Sequence, residues 1–168
     1  MPNELDDLFG PPFSLLPWLP GETLFSLCSR HHRLWGHGLS WPSTQALFGS
    51  KRLGTQHDFP SGLREFTERT SGLLGVSSDI ARSRTLLAFY RPFLPEQEIA
   101  YAVACMEGAS VAHLKFRLGL LTSRFRANHP LKACRSCIQA DLEAHGWLYW
   151  HKVHQYPGVW VCTQHGEL

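Results

Sequence analysis

Apolar residues recur at helical spacing over much of the chain. Between Glu22 and Trp35 the positions Leu24, Leu27, Cys28, His31, Leu34 and Trp35 follow i, i+3, i+4, i+7 spacing, which predicts an amphipathic helix. Gly36 and Gly38 are expected to end it. Ser26, Ser29, Arg30 and Arg33 fall on the opposite face. Trp41-Pro42-Ser43 predicts the opening of a short helix from about Thr44 to Phe48. A third helix is predicted near Leu63 to Thr70, and a fourth from a cap at Ser77-Ser78-Asp79 to about Leu87. The fifth starts near Pro95, carries Glu96 and Glu98 in its first turn, and buries Ile99, Ala102, Val103 and Met106 before Gly108. A sixth follows from Ser110 with Val111, Leu114, Leu118 and Leu121 inward, leaving Lys115 and Arg117 outward.

The ends read differently. Residues 1–20 hold Pro2, Pro11, Pro12, Pro17 and Pro20, which predicts an irregular arm, with Phe13, Leu15, Leu16 and Trp18 available to dock on the body. Beyond about Phe125 the helical period gives way to a turn at Cys134 and Cys137 and a short helix near Ile138 to Ala144. An aromatic stretch follows, and a strand is predicted over Val159-Trp160-Val161. The fold class is therefore mainly α. A helical region with a helix-turn-helix-like start occupies 21–124, and a small zinc-finger or ribbon module with a short strand occupies 125–168. Simple core packing of the first two helices accounts for the helix-turn-helix pattern equally well.

Composition narrows the class. At 168 residues and 43% hydrophobic content, with six Trp and ten Phe, the chain can build one core plus a small module. No apolar run approaches the roughly 18 residues of a spanning helix. The acidic N-terminus has no apolar h-region, so a cytoplasmic location is expected, nucleoid-associated when bound. The formal charge of +2 does not by itself argue for nucleic acid. Its distribution is more informative. Between Glu107 and Asp141 there is no acid, yet Lys115, Arg117, Arg124, Arg126, Lys132 and Arg135 all fall there. Such a strip suits a polyanion or an acidic protein surface, and an ordinary solvated face is the competing reading.

The most specific signal is Cys134-x-x-Cys137 followed by Cys162-x-x-His165. Thiolates with imidazole suit zinc, and two close pairs can hold one tetrahedral ion. A disulfide framework is the alternative, but without export, thiols in a reducing compartment read as metal ligands. Four protein ligands leave no open position, so one structural Zn2+ is expected. Cys28 and Cys105 stand alone in apolar patterns and read as core thiols.

At these residues a family resemblance is visible. Cys134-Arg-Ser-Cys137, then Tyr149-Trp-His-Lys-Val-His-Gln-Tyr-Pro-Gly158, running into Cys162-Thr-Gln-His165-Gly, resembles the TniQ/TnsD family of transposon target-selection proteins. Upstream, Gly21-Glu-Thr-Leu-Phe-Ser-Leu-Cys-Ser-Arg30, Thr85-Leu-Leu-Ala-Phe-Tyr-Arg-Pro-Phe93 and His113 to Arg124 are similar to further family segments. Arg135 and Thr163 stand where the family commonly has proline. The chain stops three residues after His165, where longer members continue, so it reads as a compact or a truncated member, which weakens the case for sequence-specific DNA reading. The resemblance implies an adaptor that links a target mark to a AAA+ ATPase regulator (TnsC-like). The mark is double-stranded DNA or an RNA-guided CRISPR effector complex. Self-association as a homodimer stays open.

The remaining candidates have competing readings. His151 and His154 are alternative ligands or packing and outer-sphere groups, the latter favoured because four better-spaced ligands exist. Trp150 and Tyr149 can stack on bases or form a core over the metal site. Lys115, Arg117, Arg124 and Arg126, and less directly Arg30 and Arg33, are candidate phosphate or partner contacts. A zinc-stabilised helix-turn-helix regulator is the second functional reading. A metal hydrolase is disfavoured: Asp141, Glu143 and Glu167 sit in no catalytic motif, and a four-ligand site is closed.

Overall fold

The computed structural model describes residues 14–54, 56–121 and 130–168. Phe13, Arg124, Arg126 and the expected boundary near 125 lie outside the described residues. The first helix, α1, spans Leu24–Trp35. Thr23 caps it by accepting from Ser26 N at 3.2 Å, which satisfies one of the orphan donors of the first turn. Gly36, at φ 68°, closes it in the left-handed region. Helices α2 (Ser40–Phe48), α3 (Leu63–Arg69) and α4 (Ser77–Ser83) follow. Then come α5 (Leu87–Tyr90), a single 3-10 turn at Arg91–Phe93, α6 (Glu96–Glu107) and α7 (Leu114–Arg117). The C-terminal part carries α8 (Arg135–His145) and α9 (Lys152–Gln155). The fold is mainly α; the one pairing of extended backbone among the described residues is an isolated antiparallel bridge between Glu22 and His151.

A single apolar core runs through α1 to α7. Leu24 and Leu27 of α1 meet Phe48, Phe66, Ile80, Leu87 and Met106, all essentially removed from water. Ile99, Ala102, Val103 and Met106 form the buried stripe of α6 that its spacing predicts. Leu15, Leu16 and Trp18 of the arm pack on this core, and Trp18 Nε1 donates to Leu74 O at 2.8 Å. Gly54 passes against the Phe48 ring: a Cβ there would stand 2.2 Å from the ring, so only glycine fits.

Several elements depart from the sequence pattern, each for a tertiary reason. The predicted fourth helix breaks after Ser83 because the Arg84 carbonyl accepts from Leu24 N at 2.9 Å, an interhelical bond that replaces continuation. The expected serine cap is absent: Val76 is the cap residue, and Ser77 Oγ instead donates to Glu107 Oε1 at 2.6 Å. The sixth predicted helix is one turn, α7. Gly119 at φ 69° ends it with paired bonds from Gly119 N to Phe116 O and Leu120 N to Lys115 O. Leu120 is therefore buried while Leu121 is exposed. Leu34, expected inward on α1, is also exposed. The strand predicted at 159–161 does not form: among the described residues no second extended segment pairs with it. Its Val159 carbonyl accepts from Lys132 Nζ at 2.6 Å instead.

Candidate metal centre

Cys134 caps α8, and Cys137 lies in its first turn, so helix geometry turns both thiols to one side. Cys162 opens a tight turn in which Gly166 N donates to Cys162 O at 2.8 Å, bringing His165 back toward the thiols. The four donor atoms all lie within 4.8 Å of one another. Cys137 Sγ is 3.7 Å from Cys162 Sγ and 3.3 Å from His165 Nδ1; Cys134 Sγ is 3.3 Å and Cys162 Sγ 3.7 Å from that same nitrogen. Zinc–sulfur bonds of about 2.3 Å in a tetrahedron place sulfurs about 3.7 Å apart, so these residues fit one soft divalent ion. The three cysteines are buried and His165 is exposed.

Crowding the thiols has an electrostatic consequence. Burial and the neighbouring Cys162 and Cys134 push the Cys137 thiol up to about 12. Burial works in the same direction on Cys162, but hydrogen bonds from the Gln164 backbone, His154 and the His165 backbone outweigh it and bring that thiol down to about 6. Several thiolates at this spacing repel, and a dication would offset that repulsion.

Polar side chains hold the surroundings. Glu167 Oε1 accepts from Ser136 N at 3.0 Å and Ser136 Oγ at 2.6 Å, which clamps the chain end onto the start of α8. Those bonds hold its carboxyl below the usual carboxylate range. Buried His154 places Nε2 3.8 Å from Cys137 Sγ, and its ring lies 5.0 Å from that of His151. His151 Nε2 is 2.6 Å from Asp141 Oδ2, and its ring stacks on Tyr149 at 4.3 Å. Neither histidine belongs to the four-residue group whose donor atoms lie within 4.8 Å of one another. Trp150 sits half-buried at the seam with α1: its N–H donates to Ser26 Oγ at 2.9 Å and its carbonyl accepts from Thr23 N at 3.2 Å.

The candidate basic contacts are mostly engaged within the fold. Arg30 and Ser26, expected outward, are both buried. The Arg30 guanidinium donates to Glu22 Oε1 and Oε2, each at 2.7 Å, and to Pro17 O at 2.7 Å. Glu22 also accepts from Leu19 N at 3.0 Å, so this ion pair ties arm, α1 and, through the Glu22–His151 bridge, the C-terminal module. Lys115 pairs with Asp58 at 2.5 Å. Arg117 makes a two-pronged pair with Glu98 at 2.8 and 2.9 Å while lying 3.7 Å over the Tyr101 ring. Arg33 alone of the described candidates is exposed and bonded to no carboxylate among the described residues. The structural roles of Glu22, Asp141 and Glu167 follow no helical or strand period, because Arg30, His151 and Ser136 meet them only through the fold.

Fold and site together define a mainly helical protein with a Cys3His cluster that could hold one metal ion. The chain belongs to the TniQ family, whose profile matches residues 15–168. It is also similar to the transposon Tn7 transposition protein TnsD of Escherichia coli, at 26% identity over 84 residues. That stretch is 50% of this chain and only 16% of the relative's length.

Proposed function

We propose that this protein is a target-selection adaptor in transposition, joining a target mark to a AAA+ ATPase regulator. The carrying observation is the match of the TniQ profile to nearly the whole described chain, with the similarity to a Tn7 transposition protein beside it. In this reading Cys134, Cys137, Cys162 and His165 hold one structural zinc ion that folds the 125–168 module, and the chain itself does no chemistry. The mark is duplex DNA or an RNA-guided effector complex. The internal pairing of Lys115, Arg117 and Arg30 lowers the case for a stand-alone DNA-binding regulator, because few of these cations remain for phosphates.

Co-sedimentation with the AAA+ regulator of the same element, on duplex DNA with and without ATP, tests the reading. Nucleotide-dependent co-sedimentation is expected. Tight, salt-sensitive DNA binding with no association to the ATPase would favour the regulator instead.

A further inference from the structure

The polar stripe of α1 is not simply solvent-facing. Gly146 to Trp150 runs beside it, and together they enclose a cleft of about 510 Å³. The floor is Ser29, Arg30 and Arg33; the outer wall is Leu142, Leu148 and the two tryptophans Trp147 and Trp150. Leu142 and Leu148 are 48% and 51% exposed, although each is apolar. Among the described residues that line the cleft, none is acidic.

Its two arginines differ. The Arg30 charge is neutralised by the buried Glu22 carboxylate, and its guanidinium stands 5.8 Å from the Trp147 ring centroid, which helps fix that ring. Arg33 has no carboxylate partner among the described residues and lines the cleft. The combination is an apolar and aromatic trough with one open guanidinium. A lone cation is a poor base for polyanion binding, which draws its affinity from several phosphate contacts together. Tryptophan and arginine are instead enriched among the anchors of protein interfaces, and the exposed leucines beside them add apolar area that a partner would cover. The volume suits one or two side chains of a partner.

We propose that this cleft docks a short acidic segment of a protein partner, with an apolar or aromatic side chain in the trough and a carboxylate on Arg33. The inference deepens the adaptor reading and rests on it for the partner's identity, while the recognition chemistry comes from the cleft.

The test selects a random-peptide phage library on the full metal-loaded chain and titrates the enriched peptides by fluorescence anisotropy. Enriched sequences should place Asp or Glu beside Leu, Phe or Trp. Arg33→Glu and Leu148→Ser should each weaken them about tenfold, the scale of an interface hot spot, with unchanged melting temperature and metal content. Arg33→Lys should retain most of the affinity. No enrichment, enriched peptides lacking acids, or affinities indifferent to Arg33→Glu would overturn the proposal. Displacement of the peptides by oligothymidylate would do so as well, making the cleft a nucleic-acid site. No ATPase enters this selection, so its failure is distinguishable from failure of the adaptor reading by co-sedimentation.

Discussion

The helices α1 to α7 and the residues from 130 onward are held by different contacts. In the body, Phe48, Phe59, Phe66, Leu27 and Met106 are removed from water and packed on one another, so burial of apolar area dominates. Among the described residues from 130 onward, the buried hydrophobic side chains are three cysteines and Tyr149. Apolar burial there is small, and specific contacts stand beside it: the clustered Cys134, Cys137, Cys162 and His165, the Glu167 clamp, and Lys132 on the Tyr156 and Val159 carbonyls. A body built on area tolerates graded change. A module built on a few specific bonds should fail in steps.

The sharpest way to break that contrast is to remove a donor. Cys134→Ser is expected to release bound metal and uncouple the module, a loss on the order of 10 kcal/mol in apparent metal-binding energy. Metal analysis and calorimetry should show one equivalent lost per chain while the body keeps its own transition. An unchanged melting profile and metal content would end the metal reading.

The body's counterpart is Phe66→Ala, expected to cost about 3–5 kcal/mol through lost burial and a residual cavity, with metal content intact. Chemical denaturation measures it. Metal loss in that variant would show the two regions to be one cooperative unit.

Arg30→Met probes the seam. Glu22, at 0% exposed, would be left buried without its partner, and a loss of about 3–5 kcal/mol is expected. Hydrogen exchange should register it at the arm, at α1 and near His151 together. The double variant Glu22→Leu with Arg30→Met should recover much of the loss, since replacing both members removes the unpaired charge.

The smallest effect is pH-dependent. Burial holds His31 below its ordinary value of 6.5, and its ring accepts from Leu16 N at 2.8 Å while Nδ1 meets Leu27 O at 2.9 Å. The neutral ring with a proton on Nδ1 satisfies both bonds. Because the folded value lies below the unfolded one, the unfolded chain binds more protons as pH falls under 6.5. Stability should therefore be complete above that pH and decline below it. Thermal melts from mildly alkaline to mildly acidic pH should show this slope, and His31→Phe should flatten it. An unchanged slope in the variant would assign the pH dependence elsewhere.

The helical stripes were legible because a period of 3.6 residues writes burial into local sequence, as in Leu24 and Leu27 or Ile99 and Met106. The donor set was legible because each pair is local and its chemistry narrow. The charged residues were not. Arg30 carries the same signature as Arg33, yet one is buried on Glu22 and the other lies open at a cleft. Burial of a charge depends on a partner, and Pro17, Asp58 and Glu98 reach Arg30, Lys115 and Arg117 only in the folded chain. The break after Ser83 and the missing strand at 159–161 also depend on tertiary neighbours: a donor from α1 claims the Arg84 carbonyl, and no described segment pairs with 159–161.

By itself, then, the sequence determined the mainly helical class, the apolar stripes and the Cys-x-x-Cys and Cys-x-x-His pairs. Only the tertiary structure decided which cations are free, where helices stop and how arm, body and module are joined. Patterns of period and spacing are local properties of the chain, whereas ion pairs, interhelical hydrogen bonds and clefts are made between residues far apart in it.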